Sequence, residues 1–247
     1  MCVESQRDLD GLTAIGRLVA DTLRLLRSHV VAGISTGRLD DIAARFLRRH
    51  GARSAPRLTY GFPGATCISV NDEAAHGVPG PRRIEPGDLV KLDVSAERAG
   101  FFADAAITVA VPPLSDTTAR LLTCARRARD AGIAAAKPGH PLHAIGSAAA
   151  NVVRQFGYRI IPSLPGHGVG RALHEPPNVP QHFDAEATAS LPEGLVLTVE
   201  PHVTTGSGHL LEPRDGWTLR TSDRAWVAAF EHTIVVSEGS PRVLTAA

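Results

Sequence analysis

Four carboxylates lie inside runs that are otherwise almost wholly apolar, and this limits the available folds more than any other feature of the chain. Asp93 sits in Leu89-Val90-Lys91-Leu92-Asp93-Val94-Ser95, and Asp104 in Phe102-Ala103-Asp104-Ala105-Ala106-Ile107-Thr108-Val109. Glu200 ends the run Leu195-Val196-Leu197-Thr198-Val199-Glu200-Pro201, and Glu231 lies in the middle of Val227 to Val236. Each run reads as a strand by its period of two. An ionised carboxylate buried in such a strand costs on the order of several kcal/mol unless a cation answers it. No nearby stretch holds enough Lys or Arg to neutralise all four. Four negative charges would balance two dications, and carboxylates converging with a histidine suit hard or borderline divalent ions.

Alternation places Val90, Leu92 and Val94 on one face of their strand and Asp93 on the other, while Ala105, Ile107 and Val109 point away from Asp104. A hairpin turning near Ala99-Gly100 brings the two aspartates to one face. Either aspartate alone reads more readily as a solvated strand residue. The histidine candidate is His167 in Pro165-Gly166-His167-Gly168-Val169-Gly170, where glycines let the backbone crowd a site. A lone histidine in a Gly-rich turn is more often structural. Here His174 follows seven residues later, and His76 stands in Asn71-Asp72-Glu73-Ala74-Ala75-His76-Gly77.

Apolar residues at Leu12, Ile15, Leu18, Val19, Leu23, Leu26 and Val30 recur at helical spacing, and the segment breaks at Gly33 to Gly37. A second helix is predicted over Leu39–His50, ending at Gly51. Strands follow at Thr66–Val70, Leu89–Ser95 and Phe101–Val111. The order then repeats: a helix over Thr117–Ala136, a Pro138-Gly139 break, a helix over Leu142–Phe156, a stop at Gly157, and more strands. Leu39-x-x-Ile42 and Leu142-x-x-Ile145 hold similar places in the two halves. The expectation is one α+β domain over 1–247, with pseudo-repeat halves at about 8–111 and 116–237 facing a shared cleft.

These residues resemble the type I methionine aminopeptidases. The resemblance rests on Cys67-Ile68-Ser69-Val70-Asn71 followed by His76-Gly77-Val78-Pro79, on Lys91-Leu92-Asp93-Val94 with Asp104, and on Gly166-His167-Gly168-Val169-Gly170 with His174-Glu175-Pro176-Pro177. It continues through Thr198-Val199-Glu200-Pro201, Asp215-Gly216-Trp217 and Glu231-His232-Thr233-Ile234-Val235-Val236. It implies the pita-bread fold, in which two pseudo-symmetric halves surround a curved antiparallel sheet with helices outside. It further implies two divalent metal ions: Asp93 would hold one alone, Asp104 and Glu231 would bridge both, and His167 with Glu200 would complete the other. Manganese, iron, cobalt, nickel and zinc all suit such ligands, and cellular supply helps to decide among them. A dinuclear site activates water and polarises the scissile carbonyl.

By the same resemblance His174 would bind the substrate carbonyl, His76 the scissile amide, and Glu200 would shuttle a proton. Phe62, Cys67 and Trp217 fall on the positions of the family's methionine cup. Thr59, Leu173 and His202 depart from the family's usual tyrosine, phenylalanine and methionine, which bears on methionine specificity. The implied activity is removal of the initiator methionine before a small second residue. The implied substrates are N-termini of nascent polypeptides near the ribosome, acted on by a monomer.

Three rival readings share the fold. Proline-selective hydrolases usually carry an extra N-terminal domain, whereas here the first ligand already stands at residue 93. Type II methionine enzymes insert a helical segment between the positions of His167 and Glu200, and only 32 residues separate these two here. A non-catalytic binding protein of this fold would have lost ligands. Lys plus Arg number 26 against 25 Asp plus Glu, so no basic footprint steers the chain to nucleic acid or anionic membrane, and neither partner is expected. Three scattered cysteines, Cys2, Cys67 and Cys124, and an N-terminus without a secretory pattern point to a reducing, cytoplasmic setting.

Overall fold

The computed structural model describes residues 1–246. Ser5 opens α1 (Gln6–His29): its hydroxyl accepts the Asp8 amide while the Asp8 carboxylate takes the Ser5 hydroxyl proton. This reciprocal cap starts the helix before the first apolar residue of its stripe. Ser35 likewise caps α2 (Thr36–Arg49), ahead of the expected Leu39. The chain continues through β1 (Arg53–Ser54), a six-residue helix α3 (Ala55–Tyr60) absent from the sequence expectation, β2 (Cys67–Val70) and β3 (Glu73–Ala75).

The hairpin β4 (Leu89–Arg98) and β5 (Phe101–Ala110) is paired over its whole length, from Leu89 opposite Ala110 to Arg98 opposite Phe101. It turns where expected, through Ala99 at φ 54° and Gly100 at φ 81°. Two left-handed residues in succession give the twist that a two-residue hairpin needs.

The second half supplies α4 (Asp116–Ala135) and α5 (His143–Gln155), then ten short strands. These are β6 (Arg159–Ile160), β7 (Gly166–Gly168), β8 (Glu175–Val179), β9 (Val196–Val199) and β10 (His202–Thr204). There follow β11 (Leu210–Leu211), β12 (Leu219–Thr221), β13 (Val227–Ala229), β14 (His232–Val235) and β15 (Arg242–Val243).

Every ladder is antiparallel. The sheet is laid out as separate ladders: β1-β4-β2 with β5 on β4, β13-β10-β6, β11-β12-β3, and β15-β14-β9-β7-β8. Two buried threonines splice β5 to the second half. Thr108 Oγ1 donates to the Ala229 carbonyl (2.7 Å) and accepts the Ala229 amide (2.9 Å). Thr233 Oγ1 does the same for the carbonyl and amide of Asp104 (2.7 and 2.9 Å). Both hydroxyls satisfy backbone groups that no strand reaches.

The helices lie outside. Leu12, Ile15, Val19, Leu23 and Leu26 of α1 pack with Leu39 and Leu47 of α2 against Val90, Leu92, Val94, Ala103 and Ala105. On the other side Leu121, Leu122, Ala125 and Ala128 of α4 and Ala149 and Val153 of α5 cover Val203, Ala228 and Phe230. With one face of each central strand sealed in this way, the alternate side chains are left to line the opposite face.

Candidate metal centre

Opposite the helices lies a cavity of about 480 Å³, and all ten candidate site residues line it: Phe62, Cys67, His76, Asp93, Asp104, His167, His174, Glu200, Trp217 and Glu231. β4 turns Lys91, Asp93 and Ser95 toward the cavity, while β5 contributes Asp104 and Ala106. Asp93 pairs with Ala106 and Ser95 with Asp104 in the ladder. The two carboxylates are thus diagonal neighbours on one face, close enough to interact. Cys67 of β2 lies across from Asp93 on its other side.

Glu231 departs from the expected placement. It lies in a break between β13 and β14 instead of mid-strand. Its amide donates to the Ala106 carbonyl of β5 (2.9 Å), so the break docks on the aspartate-bearing strand and carries the glutamate there.

His167 Nδ1 lies 2.9 Å from the Gly168 carbonyl, which can only accept, so Nδ1 carries the proton. Nε2 then presents a lone pair, 3.6 Å from Glu200 Oε1 and 3.9 Å from Asp104 Oδ2. Thr198 couples the two strands: its hydroxyl accepts the His167 amide (3.0 Å) and donates to Glu200 Oε1 (2.7 Å). Donor atoms of Asp104, His167 and Glu231 all fall within 4.8 Å of one another.

The electrostatics fit a cation site. His167 is the only basic group within 4 Å of these carboxylates among the described residues. Asp104 Oδ1 and Glu231 Oε1 are buried without a hydrogen-bond partner. A carboxylate oxygen in that position is costly unless a proton or metal meets it. Without metal, burial pushes Glu200 up to about 8 and Asp104 up to about 6. Burial, then the charge of Asp104, holds Asp93 and Glu231 well above the usual carboxylate range. Burial and the neighbouring His174 push His167 down to about 3, leaving it neutral as a ligand must be.

Lys91, which also lines the cavity, does not serve as the missing cation. Its ammonium is turned to the carbonyls of Asn71 (3.1 Å) and Val227 (3.0 Å), and burial lowers it to about 7.

Around the carboxylates the apolar candidates assemble. Phe62 and Trp217 meet edge to face, with ring centroids 5.2 Å apart at 88°, and Cys67 is buried with its thiol pKa raised by burial and nearby carboxylates. His174 stacks obliquely on His167, with centroids 4.0 Å apart. His76 has a left-handed backbone (φ 54°), which holds its side chain at the rim after β3. Of the departures noted in the sequence, Leu173 and His202 line the cavity and Thr59 does not; its neighbour Tyr60 does. Tyr60, half exposed at 49 % and unremarkable in the sequence, places its Oη 2.5 Å from His174 Nδ1.

The profile of metallopeptidase family M24 matches residues 10–238. Methionine aminopeptidase 2 of Bacillus subtilis is 41% identical over 247 residues, covering 99% of each chain. Crystal structures of the methionine aminopeptidases from Rickettsia prowazekii and Thermotoga maritima superimpose with TM-scores of 0.95 and 0.96 at 31% and 30% identity, and each comparison covers 100% of both chains. The pita-bread fold and the two divalent metals expected of the sequence follow from this kinship. The chain belongs to metallopeptidase family M24 and, within it, to the methionine aminopeptidases.

Proposed function

We propose that the cavity removes the initiator methionine from polypeptides whose second residue is small, and that the ten residues above divide the work as follows. The observation that carries this reading is the cluster of four carboxylates, Asp104 and Glu231 buried and Asp93 and Glu200 partly so, with a lone-pair-bearing histidine, two oxygens left unpartnered and, among the described residues, no Lys or Arg to answer them. Asp93 would hold one divalent ion, His167 and Glu200 the other, and Asp104 and Glu231 both. When bound, the ions supply Lewis-acid polarisation of the scissile carbonyl and activation of a water.

The remaining steps belong to the protein. Phe62, Cys67 and Trp217 take the methionine side chain, whose unbranched thioether suits an aromatic and apolar lining. His174 donates a hydrogen bond to the substrate carbonyl as it becomes an oxyanion. His76 contacts the scissile amide and assists departure of the amine, and Glu200 carries a proton between water and leaving group. Burial lowers the pKa of both His76 and His174, which favours neutral rings that can donate without repelling the metal charges.

The type I form is supported by the stretch between His167 and Glu200, which holds β8, β9 and loops but no helix. We read residues 1–247 as one catalytic domain of two halves, about 8–111 and 116–237, because side chains from both line one cavity. The same reading takes nascent N-termini near the ribosome as substrates and a cytoplasmic monomer as the working form. The three free cysteines support the cytoplasmic, reducing setting. No helix among the described residues is long and apolar enough to cross a membrane.

Tripeptides Met-Xaa-Gly and Xaa-Gly-Met, incubated with metal-free enzyme and each of the five metals, test the proposal. Release of methionine alone, before small Xaa and only with metal, is the expected result. Cleavage confined to bonds before proline would overturn it.

A further inference from the structure

Among the described residues the imidazole of His174 has one hydrogen-bond partner, the phenol of Tyr60, with Oη 2.5 Å from Nδ1. The two are 114 positions apart in the chain. Tyr60 is the last residue of α3, which Ser54 caps at one end and which Gly61, at φ 69°, turns off at the other. Its ring also packs on the His174 ring, with centroids 5.5 Å apart at 44°. The backbone beneath His174 is held separately, because the Glu175 carboxylate accepts the amides of Arg171 (2.5 Å) and Ala172 (2.6 Å). The loop is therefore fixed without Tyr60, and the phenol acts on the ring alone.

We propose that Tyr60 is a positioning residue for His174: its phenol O–H donates to Nδ1, fixing the ring and holding the imidazole in the tautomer whose Nε2–H is free to donate. A neutral imidazole carries one N–H and one lone pair, and the partner of one nitrogen decides the state of the other. A phenol keeps its proton at neutral pH, and burial raises the Tyr60 pKa further. The opposite arrangement, with Nδ1–H donating to Oη, would leave an Nε2 lone pair beside a cavity that holds four carboxylates. In that tautomer Nε2 and a substrate carbonyl oxygen would meet as two acceptors, and no hydrogen bond could form between them. The inference rests on the proposed role of His174 as donor to the substrate carbonyl and extends it, because only the Nε2–H tautomer can fill that role once Nδ1 is taken up by Tyr60.

Tyr60→Phe keeps the ring and removes only the O–H, at a half-exposed position where folding is not at stake. The zinc-loaded enzyme, labelled with 15N-histidine, reports the tautomer of His174 directly, with His174→Ala identifying its resonances. In the parent enzyme His174 is expected to be protonated at Nε2 alone, and in Tyr60→Phe to show a mixture of tautomers. With Met-Ala-Gly as substrate, kcat should fall about tenfold with KM within about twofold, a smaller loss than the hundredfold or more typical of removing an oxyanion donor outright. An unchanged kcat, or an unchanged tautomer alongside a lower kcat, would overturn the assignment of Tyr60. If His174→Ala itself turned over normally, the reading of His174 would fall instead, and the two failures are thereby told apart.

Discussion

The unpartnered oxygens of Asp104 and Glu231 make opposite demands on metal-free and metal-loaded protein, and Asp104 is the more exacting position. Its Oδ2 faces His167, its Oδ1 meets nothing, and its backbone is clamped by Thr233. Asp104→Asn keeps the shape and removes a negative charge that no other residue can replace. Turnover should drop by at least about 100-fold, or about 2.7 kcal/mol of transition-state stabilisation, and titration should show loss of bound metal. His76→Ala should also lower kcat but leave metal stoichiometry unchanged, since no carboxylate of the cluster pairs with it. Equal metal loss in both variants would mean that His76 belongs with the ligands. At this scale the sequence was informative about charge and silent about Tyr60. Carboxylates in apolar runs announce themselves by their cost, whereas a half-exposed tyrosine before a glycine looks like any loop aromatic until His174 is seen beside it.

Strand β7 shows what the glycines around His167 accomplish. A Cβ on Gly168 would stand 2.3 Å from the Pro176 carbonyl and 2.7 Å from that of Glu175, both on β8. Gly168→Ala should therefore part β7 from β8, costing about 1–3 kcal/mol as overpacking does. Because Gly168 O also fixes the His167 tautomer, metal affinity should fall with stability. Thermal melts with and without divalent ion would read both, and a variant as stable and as metal-avid as the parent would contradict this account. Element boundaries were less legible than element types. The signature Ser5-x-x-Asp8 stood in the sequence and marks the true start of α1, yet the apolar stripe begins only at Leu12. The break at Phe230-Glu231 has no sequence signal, since the run is uniformly strand-like; it exists because the Glu231 amide pairs with β5.

For the whole molecule, the buried charges predict an unusual dependence of stability on pH. Glu200, raised to about 8, and Asp93 and Glu231, raised well above the ordinary range, hold protons in the folded chain that the unfolded chain has already released. Each such group destabilises the fold as pH rises from its unfolded to its folded pKa, by up to about 1.4 kcal/mol per pH unit. Below about pH 6.5 the neutral His167 and His202 (about 3) and His232 (about 4) act in the opposite sense, because the unfolded chain protonates them first. Lys91, lowered to about 7, opposes the carboxylates above that point. The net expectation is that chelated protein loses stability between about pH 6.5 and about pH 8, and that saturating divalent ion abolishes the loss by taking the place of the protons. Circular-dichroism melts across that window test it; a melting temperature of the chelated protein that rises with pH would be the contrary result.

By itself the sequence determined the periodicities and the chemical conflict. Helical spacing in α1 and α2, alternation in β4 and β5, and carboxylates that an apolar strand cannot tolerate uncompensated are local properties, readable because side-chain direction repeats every 3.6 or 2 residues. The break that delivers Glu231, the hydroxyls of Thr108 and Thr233 that splice two ladders, and the reach of Tyr60 to His174 were decided only by tertiary structure. Each depends on contacts between segments far apart in the chain, and their geometry is fixed only when the helices seal one face of the sheet and leave the charged face to converge.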